Sequence, residues 1–287
     1  MGNRGSARLA RSAAVLGLVV SAAPAAAQDW RTVSSARQAA GEERLNVHVE
    51  YGAGRLSIAP GEGDLLYHAN IYYDADVFEP ITSYADGRLR LGVEGGNRVR
   101  GGHLESGRLE LRLGPSVPLD LDLRFGASEA DLELGGLPVR GAAIKTGASK
   151  TELRVSQPNP EVCESISIEV GAATFQAMHL GNLNAEQMSL KGGVGEVTLD
   201  FTGEWRTDLT ADIDMGLGAL NLRVPNGLGV SIRRSGFLAG FDSQGLIKRG
   251  DVYFSENWEE AQHRLTVNLD ATLGSIRVTW VENPSAN

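Results

Sequence analysis

LDLRFGASEADLEL, residues 121–134, is the stretch of sequence that decides the fold. Apolar residues alternate with polar ones on both sides of a Gly-Ala-Ser corner that begins at Gly126. Strict alternation is typical of half-buried strands, because successive side chains point to opposite faces of a sheet. Glycine at the corner permits a positive φ and a close backbone approach. We therefore predict two short strands joined by a tight bend, with Leu123 and Leu132 facing the core and Asp122 facing solvent.

The same unit recurs along the chain at a nearly constant interval. The anchor glycines of the regular units are separated by 21, 24, 22 and 23 residues. These anchors are Gly126, Gly147, Gly171, Gly193 and Gly216, and two outlying units are anchored at Gly52 and Thr272. A period near 22 residues indicates a repeat architecture, in which each unit buries its apolar face only by stacking on its neighbours.

The pattern predicts an all-β fold, and a β-solenoid is the preferred architecture. The alternative is a closed antiparallel barrel, even one of the outer-membrane type, because alternating strands with short turns suit both architectures. The outward positions of the repeat carry Asp, Arg, Glu and Thr, which hydrocarbon would not accept. They argue against a membrane barrel and assign the apolar set to the interior.

The N-terminus has the features of a secretory signal. Residues 1–27 combine a positive segment with Arg4, Arg8 and Arg11, a short apolar segment and a small-residue site that ends at Ala27. An uncleaved membrane anchor is the alternative, but the apolar run is short for a membrane span. We expect cleavage near Ala27, no transmembrane segment in the mature chain, and a periplasmic, cell-surface or secreted location.

The remaining chain is expected to be one elongated unit with a change in regularity near residue 115. Asp86-Gly87 is the usual signal of a tight hairpin turn and falls within the less regular part. The predicted segments are a polar, helix-tolerant leader at 28–43, an N-terminal β segment at 44–115, a repeat β-solenoid at 116–283 with an insertion at 237–264, and a tail at 284–287.

Composition narrows the classes of partner. The 287-residue chain has a formal net charge of −9 at pH 7, which argues against nucleic acid and anionic membrane surfaces as partners. Cys163 is the only cysteine, so an intrachain disulfide is impossible. It precedes a predicted strand, and we expect it to be a buried structural thiol rather than a reactive one.

Residues 252–280, VYFSENWEEAQHRLTVNLDATLGSIRVTW, combine an aromatic segment, an alternating strand and a Leu-Gly-Ser-Ile run. With the repeated Gly-Ala corners, this pattern resembles the toastrack family of bacterial extracytoplasmic domains, which includes LiaF-like C-terminal domains and proteins named as adhesins. The resemblance covers roughly residues 45–281 and implies a right-handed, single-stranded β-helix-like solenoid. Some relatives follow transmembrane helices and take part in envelope-stress sensing, whereas this chain begins with a signal. The resemblance supplies no catalytic residues.

The residue types that usually carry chemistry do not form a motif. The histidines, His48, His68, His103, His179 and His263, lack metal-ligand spacing. There is no Gly-x-Ser-x-Gly elbow and no nucleophilic Cys/His pattern. We therefore assign no catalytic residue, no cofactor-binding residue and no metal ligand, and we expect no cofactor.

Two calcium patterns fail on their ligands. GGVGEVTLD, residues 192–200, resembles a calcium-binding nonapeptide but has Val197 where that motif requires aspartate. Asp74 and Asp76 lack further oxygen ligands at short spacing, whereas calcium requires six to eight.

Acidic and aromatic residues leave two binding hypotheses open. Paired carboxylates could serve a polysaccharide-cleaving enzyme if two of them converged, but a solvated acidic face is the preferred interpretation. The acidic set is Asp120, Asp122, Asp131, Glu133, Asp212 and Asp214. Tyr67, Tyr72, Tyr73 and Phe78 could line a sugar or peptide groove, although core packing is the preferred role.

Three functions remain. The preferred one is a non-catalytic envelope or cell-surface protein, structural or adhesive, which binds an envelope protein or a surface glycan through a flat β face. The alternatives are an accessory protein in envelope-stress sensing and a polysaccharide-active enzyme.

Overall fold

The computed structural model describes residues 29–95, 107–236 and 238–283. The predicted signal at 1–27, the tail at 284–287 and His103 lie outside these ranges. Within them the chain forms strands and one 3-10 turn at Leu180–Leu183, and it has no α-helix. The prediction of an all-β fold is confirmed. In the described part of the chain, no helix has the length and apolarity that a membrane crossing requires.

The strands, in chain order, are β1 Trp30–Gln38, β2 Leu45–Pro60, β3 Leu65–Asp74, β4 Phe78–Ala85, β5 Arg88–Gly95, β6 Arg108–Leu113, β7 Leu119–Glu133, β8 Val139–Thr146, β9 Lys150–Arg154, β10 Cys163–Met178, β11 Ala185–Asp200, β12 Leu209–Pro225, β13 Gly229–Ser235, β14 Leu238–Asp242, β15 Leu246–Arg249, β16 Val252–Ser255 and β17 Arg264–Val281.

The long strands stack in parallel, and each forms one rung. Among the described residues the stack has seven such rungs, in the order β2, β7, β8 with β9, β10, β11, β12 and β17. The part of a rung before the anchor glycine is called the first arm, and the part after it is the second arm. At the usual strand spacing the stack is roughly 30 Å long.

The register of the stack gives the spacing between rungs directly. Leu123 pairs with Ile144, Ile144 with Ile168, Ile168 with Leu190 and Leu190 with Ile213. The first and last steps are longer, because β3–β6 are inserted between β2 and β7 and β13–β16 between β12 and β17. A uniform repeat therefore does not extend over the whole stack, and the handedness of the winding stays a prediction.

One rung consists of two strands instead of one. β8 pairs with the first arms of β7 and β10, while β9 pairs with their second arms. These four strands therefore form a small closed ring of pairings. The interruption lies at residues 147–149, where the other rungs continue through the corner.

The segment at 28–43 was predicted as a polar, helix-tolerant leader, and this prediction is wrong about its conformation. It contains β1, which pairs antiparallel with β3 along nine residues. Its side chains are largely exposed on both faces, so the sequence lacks the alternation that marks a strand. The β4–β5 hairpin turns at Asp86-Gly87, as predicted, with φ of 48° and 70° at the two turn residues.

The described part of the insertion predicted at 237–264, which begins at residue 238, lies against the last rung. β14 pairs in parallel with the second arm of β17, next to β13 on the first arm. The β15–β16 hairpin then pairs with β13 through β16. Antiparallel pairing is thus confined to the flanking strands, and the described rungs pair with one another in parallel.

The core is the line of inward side chains that stack from rung to rung. In β7 the inward residues Leu123 and Leu132 are fully buried, while Arg124 and Asp131 are exposed. The same alternation holds in the other predicted rungs, where Gly192 and Trp280 are half-buried rather than buried at inward positions, so the in/out assignment is confirmed. Each rung buries apolar area only against its neighbours, because parallel stacking places equivalent residues in direct contact.

Buried asparagines hold the connections between rungs together. Asn159 Nδ2 donates to the carbonyl oxygens of Val139 and Leu183, at 2.7 and 3.0 Å. Asn182 Nδ2 donates to the Val155 carbonyl at 2.8 Å. These amides satisfy backbone groups that turns leave without a partner, and buried groups of that kind are costly when unpaired.

Candidate functional site

A furrow runs along the corner of the stack and is named here the corner furrow. It has a volume of about 980 Å³, and its floor is the ladder of anchor residues from Gly52 to Thr272. A Cβ on Gly126 would lie 2.3 Å from the Gly52 carbonyl oxygen, and one on Gly216 would lie 2.5 Å from that of Gly193. At these glycines the rungs approach too closely for a side chain, so most of the floor is bare backbone. The two ends of the floor differ, because nothing lies within 4 Å of the Gly52 Cβ site and Thr272 carries a side chain.

The left-handed backbone conformation is not at the anchor glycines, where the sequence analysis placed it. It occurs two residues later, with φ between 126° and 144° at Gly54, Gly195, Gly218 and Gly274. The anchor glycines therefore serve close approach alone, and the second glycine makes the turn into the second arm.

Charged side chains form one wall of the corner furrow. They stand two residues before each anchor, at Glu50, Arg124, Lys145, Glu169, Lys191, Asp214 and Asp270. Lys145 Nζ lies 2.9 Å from Glu169 Oε1, and this hydrogen bond lowers the pKa of the Glu169 carboxyl. Arg124 turns away to form two hydrogen bonds, each of 3.0 Å, with Asp122.

The column one residue after the anchors is apolar, and its side chains grow in size along the stack. Ala127, Ala148 and Ala172 occupy the position after the anchor in the middle rungs. Val194, Leu217 and Leu273 follow in the last three rungs, and we name these three the aliphatic ridge. Their exposed fractions are 52%, 45% and 47%, and the strand register places them side by side. This ridge was not predicted from the sequence, although an alignment of the units by their anchors contains an apolar column at this position.

A second depression of about 570 Å³ lies on the outer face of the second arm, near the start of the stack. It is lined by Thr32, Asn70, Tyr72, Arg108 and Glu110, and we name these residues the Tyr72 face. Strand register brings them together, because Tyr72 pairs with both Thr32 and Arg108, and Asn70 pairs with Glu110.

The Tyr72 ring packs against another aromatic ring on one of its faces. It stacks on Trp30, with centroids 4.6 Å apart and an interplanar angle of 14°. The Tyr72 residue is 42% exposed. Arg108 and Glu110 form a 3.5 Å ion pair next to it. Tyr67 and Tyr73 are buried, as core packing predicts, whereas Tyr72 is the member of the aromatic set that faces out.

The described histidines contact separate partners. His48 Nδ1 lies 3.0 Å from Asp122 Oδ2, and His68 Nε2 lies 3.3 Å from the Ser34 hydroxyl. His179 Nδ1 lies 2.9 Å from the Thr202 hydroxyl. Across residues 29–95, 107–236 and 238–283, no group of three His, Cys, Asp or Glu side chains is arranged to hold a metal ion.

The acidic residues of the first arm are distributed along the outer face and are engaged by neighbours. Burial opposes ionisation of Asp122, but hydrogen bonds from Arg124 and His48 outweigh it and lower the pKa of this carboxyl. Asp120 lies 3.3 Å from Arg44, and Asp212 accepts a 2.8 Å hydrogen bond from Asn268. This arrangement resembles a solvated acidic face.

On the second arm, Glu133 accepts hydrogen bonds from the backbone N–H groups of Gly135 and Ser156, at 2.7 and 3.1 Å. It therefore acts as a loop anchor, while Asp131, two residues before it on the same face, is exposed.

Cys163 and the two rejected calcium patterns have structural roles. Burial raises the pKa of the Cys163 thiol to about 12, so the nucleophilic thiolate is suppressed, as predicted for a structural cysteine. Asp74 Oδ1 accepts the Asp76 backbone N–H at 3.0 Å and closes a turn. Val197 in GGVGEVTLD is buried in the core.

Sequence comparison identifies the family. The model of the "N-terminal domain of toast_rack, DUF2154" matches residues 26–176 and 157–223. The chain belongs to the toast_rack family. The toast_rack match ends before residues 252–280, so the segment on which the resemblance mainly rested lies outside it. No curated protein matches this toast_rack chain.

Two solved structures resemble this toast_rack chain at low sequence identity. A "putative cell adhesion protein" from Clostridium sporogenes is 17% identical, with a TM-score of 0.45, over 88% of this chain and 100% of that one. A "putative adhesin" from Bacteroides fragilis is 12% identical, with a TM-score of 0.41, over 86% of this chain and 97% of that one.

Proposed function

We propose that this protein is an exported, non-catalytic binding module that holds a surface or envelope glycan on the Tyr72 face. The observation that carries the proposal is the exposed Tyr72 ring bordered by the polar side chains of Asn70, Arg108 and Glu110 on neighbouring strands. Export is supported by the signal-like features of residues 1–27 and by the extracytoplasmic location that the resemblance to the toastrack family implies.

The chemistry of the Tyr72 face suits a sugar ring. A pyranose has an apolar face of C–H groups that packs on an aromatic ring, and a rim of hydroxyls that both donate and accept hydrogen bonds. Tyr72 offers the ring, while Arg108, which pairs with it, and Asn70 and Glu110, which form the pair two residues along the strands, offer a guanidinium, an amide and a carboxylate. A few placed polar groups around an apolar surface are the usual composition of a ligand site.

The stack itself supports the choice of a polymer. We propose that the rungs wind as a right-handed, single-stranded solenoid with a repeat near 22 residues in its regular part. Such a stack gives a long, rigid surface on which equivalent positions recur at each rung. The Tyr72 face lies beside the first rung, so a glycan held there can extend along this surface and gain avidity from weaker contacts with the rungs.

The absence of catalysis is part of the proposal and has separate support. The carboxylates that sequence analysis considered are held by different partners, Asp122 by His48 and Arg124, and Glu133 by two backbone N–H groups. A retaining or inverting glycosidase requires two carboxyl groups that converge on one bond. Asp122 instead binds neighbouring side chains on the outer surface, and Glu133 binds backbone N–H groups of the loops.

The test is binding of the chain from Gln28 to immobilised polysaccharides, namely peptidoglycan sacculi and purified neutral and acidic surface polysaccharides. We expect retention on at least one of them and a loss of affinity of about tenfold or more in Tyr72→Ala. Ile247→Ala is the matched control, because Ile247 has a similar exposure of 44% and lies on β15, in the C-terminal insertion. Absence of binding, or equal binding by Tyr72→Ala, contradicts the proposal.

A further inference from the structure

The aliphatic ridge lies directly beside the bare floor of the corner furrow. In the last three rungs, Val194 follows Gly193, Leu217 follows Gly216, and Leu273 follows Thr272. Half of the large apolar side chains that are exposed in the described part of the chain belong to this ridge. A contiguous exposed apolar row of this kind marks an interaction surface more often than scattered single residues do.

A ridge next to a furrow is complementary to a copy of itself. A two-fold axis parallel to the stack, between the anchor column and the ridge column, places each ridge over the floor of the other copy. Leu217 of one copy then faces Gly216 of the partner copy in the same rung. The fit repeats at every rung because both copies have the same rise of about 4.8 Å per rung. A partner with a different repeat would lose this register after a few rungs.

The same symmetry brings opposite charges together on both sides of the ridge. The charged wall consists of the residues two positions before each anchor. The two-fold axis places each of them opposite the residue three positions after the anchor in the other copy. The opposed pairs are Glu50 with Arg55, Arg124 with Glu129, and Lys191 with Glu196, while Lys145 with Lys150 is the one like-charged pair in this set. Within each copy Arg55 already pairs with Glu129 at 3.2 Å, and Arg124 pairs with Asp122, so Lys191 with Glu196 is the pair on which the test below relies. All these side chains lie on the outer surface. Complementary charges of this kind fix the register of an interface.

We propose that two copies of this chain pair in parallel along the corner, with each aliphatic ridge seated in the corner furrow of the other copy. The contact strip is roughly 30 Å long and about 16 Å wide, from strand spacing and rise. An interface of this size is at the low end of specific interfaces, so we expect a reversible dimer rather than an obligate one. The Tyr72 face lies on strands beyond the first rung and stays accessible in this arrangement.

The test is sedimentation equilibrium of the chain from Gln28 over a wide concentration range. We expect a monomer–dimer equilibrium that Leu217→Glu weakens by about tenfold or more. Ile247→Glu is the matched control, since Ile247 has a similar exposure and lies on β15, in the C-terminal insertion. Both substituted positions are exposed, so we expect each variant to keep the fold and the melting temperature of the wild type. Thermal melting checks this.

Charge reversal tests the register independently of the ridge. Lys191→Glu should weaken the dimer several-fold, and the double variant Lys191→Glu with Glu196→Lys should restore it, because each copy then presents the exchanged pair. A monomer at every concentration overturns the proposal. So does a dimer that Leu217→Glu leaves intact, or one that the double variant fails to restore. If the chain stays monomeric and binds polysaccharide at the corner furrow, the dimer proposal is also overturned, and the furrow is a glycan site instead.

Discussion

The Tyr84 hydroxyl donates a 2.9 Å hydrogen bond to Glu42 Oε1 and so ties the segment before β2 to the β4–β5 hairpin. The other carboxylate oxygen of Glu42 accepts the Ala40 backbone N–H at 2.6 Å. Backbone N–H donors, first that of Ala40, and the Tyr84 hydroxyl lower the pKa of Glu42 to about 2. The start of the described chain is thus fixed to the stack rather than loosely attached.

This contact predicts an acid-dependent loss of stability. The folded-state pKa of Glu42 lies below its ordinary value of 4.5, so the stabilisation is present above that value and is lost as the pH falls toward about 2. Urea unfolding between pH 6 and pH 2, taken as rough limits, should show this loss in the wild type and a weaker one in Glu42→Gln. Glu43→Gln, at the exposed neighbouring position, is the control. Equal acid dependence in Glu42→Gln and the wild type would contradict the assignment.

The in/out assignment of the stack predicts the effect of a buried charge. Leu132 is fully buried, and Leu132→Asp places an unpaired carboxylate in the inner stack. We expect a loss of about 4 kcal/mol or more, or failure to fold. Leu132→Ala should cost about 2–5 kcal/mol and keeps the test informative if the aspartate variant does not fold. Asp131→Asn, on the exposed face, should leave the melting temperature nearly unchanged.

The glycine ladder predicts opposite results at two equivalent positions. Gly126→Ala forces a Cβ to within 2.3 Å of the Gly52 carbonyl oxygen, so we expect a loss of about 1–3 kcal/mol. Gly52 lies at the same position of the first rung, but nothing lies within 4 Å of its Cβ site. Gly52→Ala should therefore be neutral or slightly stabilising by about 0.5 kcal/mol, because it restricts the unfolded chain. Equal effects in denaturant titrations would disprove the close approach between rungs.

The connections between rungs should depend on their buried amides. Asn182 donates to the Val155 carbonyl at 2.8 Å and accepts the Glu204 backbone N–H at 2.7 Å. Asn182→Ala leaves both backbone groups without this partner, and we expect a loss of about 2 kcal/mol. Asn221→Ala removes an exposed hydrogen bond to Glu196 and should cost less than about 0.5 kcal/mol. Urea unfolding of both variants measures the two losses, and equal losses in unfolding free energy would contradict the role assigned to Asn182.

The inner surface of the fold was predictable from sequence because burial leaves a period of two along each strand. Leu123, Ile144 and Ile168 lie one above another as the repeat required. β1 was not predictable in this way, because it is held by pairing with β3 and has no alternating apolar face. The asparagines of the connections also lacked a signal, because their role depends on carbonyl groups of other rungs.

The binding surfaces were harder to infer, because they arise from columns across rungs rather than from motifs along the chain. Tyr72 was a candidate from its aromatic neighbours, but the face around it depends on β1 and β6, which are distant in sequence. Leu217 and Leu273 are 56 residues apart and adjacent in the stack. The position of the positive φ was misassigned because three corners carry two glycines, and only the second of each pair has the positive φ.

The most direct test of the central claim is incubation of the chain from Gln28, and of Tyr72→Ala, with envelope fractions, followed by quantitative analysis of the retained and released material. The account predicts that the wild-type chain retains intact glycan and that Tyr72→Ala retains at least about tenfold less. Shortened glycan in solution would show a polysaccharide-active enzyme and contradict the account. Retention of a membrane sensor without glycan, equal for both chains, would contradict it in favour of an accessory role in envelope-stress sensing.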